Sequence, residues 1–137
     1  MDDVFYYCHG NILFNPALIP ELSLKYTLFK SNVLAVTKAC DDLQHIKMLC
    51  KEDRIASFLN NNQDAEYSFL GLSIYIKKDI LSFTGVKYFG MSEVFLNECL
   101  DSRKGVYCII NKFHWKHIET NDDYEKIADK NIAEIIK

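Results

Sequence analysis

Two periodicities compete along this chain. Leu22, Leu24, Tyr26 and Leu28 alternate with Ser23, Lys25 and Thr27, the period of two that sets one face of a strand against a core. This predicts a strand near 22–28. From Asn32 the apolar positions Val36, Cys40, Leu43, Ile46 and Cys50 recur at three-and-four spacing, predicting an amphipathic helix near 32–50 with Asn32 as its N-cap. Ile55, Phe58 and Leu59 continue as a second helical piece near 52–60, stopped by Asn60-Asn61-Asn62.

The flanks add shorter elements. Val4 to Cys8 is apolar and aromatic, His9-Gly10-Asn11 follows, and Ile12-Leu13-Phe14 resumes the apolar run. Gly-Asn between two such runs predicts a hairpin with strands near 4–8 and 12–14. Leu72, Ile74 and Ile76 alternate in a strand near 72–77, and the stretch 65–71 fits helix and strand equally. A turn at Lys78-Asp79 leads to a strand near 81–89, with a bulge near Gly85 restoring its register. Ser92 caps a helix near 92–100. A strand near 105–110 has Val106, Cys108 and Ile110 on one face and Tyr107 and Ile109 on the other, which places it centrally in a sheet. Tyr124, Ile127, Ala128, Ile132, Ile135 and Ile136 form the apolar stripe of a helix near 121–136, capped by Thr120 or Asn121, with Asp122 and Asp123 at its positive end. The order predicts an α+β fold: one domain over 1–137, a mainly antiparallel sheet packed with helices.

Composition narrows the class. Apolar residues make up 49% and charged residues 26%, which excludes a disordered or low-complexity chain. Net charge is −3, and only Arg54 and Arg103 are arginine; both argue against direct nucleic-acid readout. The five cysteines are odd in number and widely spaced, unlike a secreted disulfide scaffold. The acidic start Met-Asp-Asp lacks a signal-peptide n-region, and the longest uncharged run, Val4 to Pro20, is too broken to span a bilayer. These features predict a cytoplasmic protein with no membrane contact.

Candidate chemistry is sparse. Gly85 to Ser92 has the glycine spacing and final serine of a phosphate loop, but Met91 stands where the lysine should be. His114 and His117 flank Trp115-Lys116, and on a helix they would share a face, yet no third and fourth metal ligand stands out. Cys40, His45 and Cys50, five apart, fan out around a helix. Cys8 and His9 are neighbours, and adjacent side chains on a strand point apart. No catalytic, cofactor or metal residue is therefore assigned, and no cofactor is expected.

What remains is surface. Asp122, Asp123, Glu125 and Asp129 cluster near the C-terminal helix, Asp41 and Asp42 form a second acidic pair, and Tyr75 lies on the polar face of its strand between Ser73 and Lys77. An acidic face of this kind can occupy a phosphate-binding site and steer association. The expectation is a small protein-binding, non-enzymatic protein: an inhibitor or immunity protein neutralising a basic, nuclease-type toxin through these seven residues. The alternatives are a viral or mobile-element accessory protein that binds a host regulator, and an enzyme whose site sequence reading misses.

Overall fold

The computed structural model describes residues 3–38, 46–59, 65–82, 96–100 and 105–137. Its longest strand organises the rest. Tyr67–Ile76, labelled β6, pairs antiparallel with β1 (Val4–Cys8) along its C-terminal half and with β3 (Asn32–Lys38) on its other side. β3 runs parallel to β7 (Val106–Ile110). β7 meets β5 (Arg54–Leu59), β5 forms a hairpin with β4 (Lys47–Lys51), and β4 returns to pair with the start of β6. Five strands thus close into a barrel, and β1 is attached to it through β6 alone. The sheet is mixed rather than antiparallel throughout, and helices and strands fold together in one small domain.

Several expected elements change type, each for a physical reason. The segment expected as a strand at 22–28 is helix α1 (Leu18–Phe29). Its core contacts are Leu18, Leu22 and Tyr26, four apart, while Leu24 and Leu28 stand 62% and 65% exposed. Pro20 sits in the first turn, where helical N–H groups lack partners and proline costs little. Asn15 receives the Ala17 N–H on its side-chain oxygen and the Leu18 N–H on its carbonyl, bracketing the helix start. The helices expected at 32–50 and 52–60 are replaced by β3, β4 and β5; Cys40, Asp41, Asp42, Leu43 and His45 lie outside the described residues. Val33-Leu34-Ala35-Val36 is fully buried because β3 is covered on both faces, which turns a strand into an unbroken apolar run.

Asn32 is no helix cap. It is buried, its Oδ1 accepts the Ile76 N–H at 2.8 Å, and its Nδ2 donates to Asp79 Oδ2 at 2.9 Å. It thereby joins the first residue of β3 to the end of β6 and to helix α2 (Lys77–Ser82). Helix α2 stands where a turn and the start of a strand near 81–89 were expected; residues 83–95 lie outside the described set, and with them the glycine-spaced stretch. Residues 96–100 are helical, as expected of the end of that segment. β1 and β2 (Ile12–Leu13) form no hairpin with each other: β1 joins β6, and β2 joins β8 (Lys116–His117) in a separate small sheet. The helix expected at 121–136 is two, α3 (Asn121–Ala128) and α4 (Ile132–Ile135), interrupted where Asn131 caps the second. Neither has a buried residue, and Tyr124 and Ile132 of the expected stripe are exposed.

Two apolar clusters sit on the two faces of the sheet. One fills the barrel with Leu34, Val36, Met48, Phe69, Tyr75, Leu96, Val106 and Cys108. The other joins Leu18, Leu22 and Tyr26 of α1 to Val33, Ala35, Leu70, Ile74 and Ile109, with Phe113 and Trp115 at its margin. No helix among the described residues is long and apolar enough to cross a membrane.

Candidate functional site

Strand direction locates a rim. β1 and β3 are both antiparallel to β6, and β7 is parallel to β3, so all three run the same way; β7 ends with Ile110 beside Val36, near the end of β3, and β1 ends farther back, with Cys8 opposite Leu72. In sheets with parallel strands, ligands gather at the carboxyl ends. Here those ends carry His9, Gly10 and Asn11 after β1, Thr37 and Lys38 closing β3, and Asn111 and Lys112 after β7.

Asn111 turns the chain across this rim. Its backbone N–H donates to Val36 at 2.7 Å, its Oδ1 accepts the Phe113 N–H at 3.0 Å, and its Nδ2 donates to the Phe113 carbonyl at 2.8 Å. This side-chain-built turn sends residues 113–117 over the strand ends to β8. There the Ile118 N–H donates to the Asn11 carbonyl at 2.8 Å, and the side chains of Asn11 and His117 meet, Nδ2 to Nε2, at 2.8 Å. With the amide donating, Nε2 is the acceptor and Nδ1 carries the ring proton, facing Glu119 Oε1 at 3.5 Å. His114 and His117 therefore lie on an irregular crossing and a short strand, not a helix face. Among the described residues no three His, Cys, Asp or Glu side chains come together to hold a metal ion.

Beside this crossing is a cavity of about 520 Å³, lined by Thr37, Lys38, Tyr67, Asn111, Lys112, His114 and Trp115 among others. Among the described residues its charged side chains are basic: two lysines with a histidine, and no carboxylate. Tyr67 and Trp115 add ring surface. Cations plus aromatic faces suit an anionic group on a polyhydroxylated body. A larger cleft, about 720 Å³, opens at the other end of β7. Several of its groups are engaged: Phe29 stacks on Tyr107 at 4.0 Å, Arg54 lies over Tyr107, and Asp53 is bound by Lys25 of α1 at 3.1 Å.

Of the seven residues of the expected partner site, four lie in or at the end of α3, two fall outside the described residues and one is buried. Asp123 is a capping residue: its carboxylate accepts the Glu119 and Thr120 N–H groups while Thr120 Oγ1 accepts its own N–H. These bonds hold its carboxyl below the usual range. Asp122 pairs with Lys126 at 2.8 Å. Glu125 is exposed and Asp129 ends α3. Asp41 and Asp42 lie outside the described residues. Tyr75 is 4% exposed, inside the barrel against Tyr7 and Phe5, because closure buries the face that alternation marked as polar; burial pushes its hydroxyl pKa up.

No family model matches the chain, and no curated protein matches it in sequence. Solved structures do. The inositol-1-phosphate CTP transferase of T. maritima superposes with a TM-score of 0.66 at 21% identity, over 100% of this chain and 59% of that one. A Bacillus anthracis protein described as a glucose-1-phosphate thymidylyltransferase, solved with sucrose, gives 0.73 at 14%, over 91% and 53%. HddC from Yersinia pseudotuberculosis gives 0.60 at 16%, over 93% and 55%. The fold is nucleotidyltransferase-like. The chain spans 53–59% of the length of these structures. The likeness overturns the expectation of a toxin-neutralising immunity protein and of a non-enzyme: the two neighbours whose names state an activity are transferases.

Sequence reading missed Asn11, Lys38, Asn111 and Lys112. Asn11 reads as a hairpin residue, and the lysines look like any solvated lysine until the strand ends converge. The histidines around Trp115 were the legible signal.

Proposed function

We propose that this chain is the part of a nucleotidyltransferase-type enzyme that holds a phosphorylated acceptor, a sugar or polyol phosphate. The observation that carries this reading is the rim cavity, whose described lining is basic and aromatic without a carboxylate, at the carboxyl ends of β3 and β7. The named neighbours support it: one is called an inositol-1-phosphate CTP transferase, the other is described as a glucose-1-phosphate thymidylyltransferase. Lys38, Lys112 and His114 take the phosphate, and Trp115 and Tyr67 take the apolar faces of the ring.

Phosphoryl transfer ordinarily uses a divalent cation to neutralise charge, and hard cations want several oxygen ligands. The described rim offers Glu119, which faces His117, and the neutral Asn11 amide, which is bonded to the same ring. That donor set does not fit a hard cation. The role of these residues is to bind and orient the acceptor.

The test is titration of the full chain with glucose 1-phosphate and with inorganic phosphate, followed by NMR at the Trp115 indole and the His114 ring. Both signals move saturably, and Lys38→Ala and Lys112→Ala each weaken binding about tenfold, the equivalent of about 1.4 kcal/mol. Unmoved rim signals, or shifts confined to the Phe29–Tyr107 cleft, refute the reading.

A further inference from the structure

We infer that the cleft at the start of β7 is an anion site, and that it takes a phosphate monoester carried on an apolar ring. The site is separate from the acceptor cavity at the rim. The two lie at opposite ends of β7 and share no described residue.

The sheet register builds a charged row. Lys51 lies directly opposite Arg54 across the β4–β5 hairpin, and Arg54 lies opposite Tyr107 across the β5–β7 pair. Directly opposed residues present their side chains on one face, and like charges so placed repel. Lys51 and Arg54 are both exposed. Neither side chain forms a hydrogen bond or an ion pair with a described residue. The carboxylates of the turn between them do not pair with them: Asp53 is bound by Lys25 at 3.1 Å, and Glu52 makes no ion pair with a described residue. A position that could carry a counter-charge to Arg54 thus carries a second cation.

The Arg54 guanidinium is already seated. It lies over the Tyr107 ring, 5.9 Å from its centroid. A Cβ on Gly105 would come 2.6 Å from Nη2, 2.8 Å from Nε and 2.9 Å from Cζ, so the guanidinium rests where only a glycine leaves room. Phe29 stacks on Tyr107 at 4.0 Å and steadies the ring from α1. A guanidinium held in place with its donors unbonded suits a bidentate contact with an oxyanion.

The cleft also has an apolar wall. Phe58, four residues along β5 from Arg54, lines it together with Leu100 and Phe29. Its volume of about 720 Å³ is that of a small-molecule site. A phosphate between Lys51 and Arg54 relieves their repulsion, and a ring attached to it covers the apolar wall.

The probes are phenyl phosphate and inorganic phosphate, each titrated into the full chain and followed by NMR at the Arg54 Nε–H and the Tyr107 ring. Both signals move saturably, and phenyl phosphate binds about threefold more tightly, or better, because its ring buries apolar surface. Arg54→Lys keeps the charge but loses the fork, and weakens phenyl phosphate binding about fivefold. Lys51→Ala weakens it about threefold, and Glu52→Gln, which removes a nearby negative charge, tightens it about threefold. All three residues are exposed, so the variants keep the fold. Trp115 and His114 report the rim separately, so failure of either reading leaves the other standing. Unmoved Arg54 and Tyr107 signals, equal affinity for the two probes, or binding unchanged in Arg54→Lys and Lys51→Ala would overturn the inference.

Discussion

Substituting Gly71 by alanine tests how the barrel holds the residues that lead to the rim. Gly71 sits in β6 at φ +100°, a conformation that side chains disfavour. A methyl group there would lie 2.8 Å from His9 Nδ1, 3.0 Å from its Cγ and 3.2 Å from its Cβ. Those atoms belong to the root of a ring that cannot swing away freely, because it packs against Tyr7 at 5.4 Å and Phe69 at 5.6 Å. The backbone contribution is about 1–2 kcal/mol for an L-residue at positive φ, and forcing a methyl group into a packed contact adds about 1–3 kcal/mol. Gly71→Ala should therefore destabilise by about 2–5 kcal/mol. With a urea slope of about 2 kcal/mol/M, the midpoint falls by about 1–2.5 M. A double-mutant cycle separates the two causes. In a His9→Ala background the two ring contacts are gone and only the 3.2 Å approach to Cβ stays, so Gly71→Ala should cost little more than the backbone part, about 1–2 kcal/mol. Equal costs in the two backgrounds, or a single-mutant loss below about 0.5 kcal/mol, would refute the assignment of His9 as the ring that requires glycine.

Leu22→Ala should cost about 2–5 kcal/mol and Leu24→Ala close to nothing in urea denaturation; similar losses at both would restore the strand parity that α1 replaces. Thr120→Ala should lose about 1 kcal/mol with its cap, seen as earlier melting of α3 by amide exchange. Because the Asp123 carboxyl is held down in the folded state, its contribution is present above the unfolded value of 3.8 and is lost as pH falls through the lower folded value; an NMR titration of its carboxyl carbon should show a midpoint below 3.8. Asn11→Ala removes the partner of His117 Nε2 and should shift the His117 ring-proton signals in an NMR spectrum; unchanged signals would mean that the two side chains do not meet in solution.

What the sequence disclosed follows from how much of each element is covered. β1, β7 and the second half of β6 were legible: an apolar, aromatic run marks the first, and alternation marks the other two. Between Leu18 and Leu59 the readings inverted. In α1, Leu24 and Leu28 are apolar yet exposed, and they complete a false alternation with Leu22 and Tyr26. In β3 and β4, burial of both faces removes the alternation, so residues 33–36 and 46–50 supply apolar positions at whatever spacing is looked for. The position that breaks the tie is Asn32. A polar residue at the head of an apolar run reads as a cap, whereas here it binds the end of β6 and the start of α2, partners that lie more than forty residues away in sequence.

The site was less legible than the fold, and the reason is topological. The three lysine and histidine positions of the cavity lie at residues 38, 112 and 114, and only the parallel pairing of β3 with β7 brings the first to the other two. The acidic cluster shows the opposite pattern: its members are neighbours in sequence, and Asp122 and Asp123 are bound within a single turn of their own helix. Part of that local charge density thus marks a helix start, whereas the proposed acceptor site draws on residues dispersed along the chain. Only the crossing from Asn111 to His117 had both properties. It is contiguous, so its histidines and tryptophan could be noticed, and it spans the strand ends, so its Asn11–His117 contact ties β2 and β8 to the rim. If the rim holds a sugar phosphate, this crossing is the element whose displacement would open or close it.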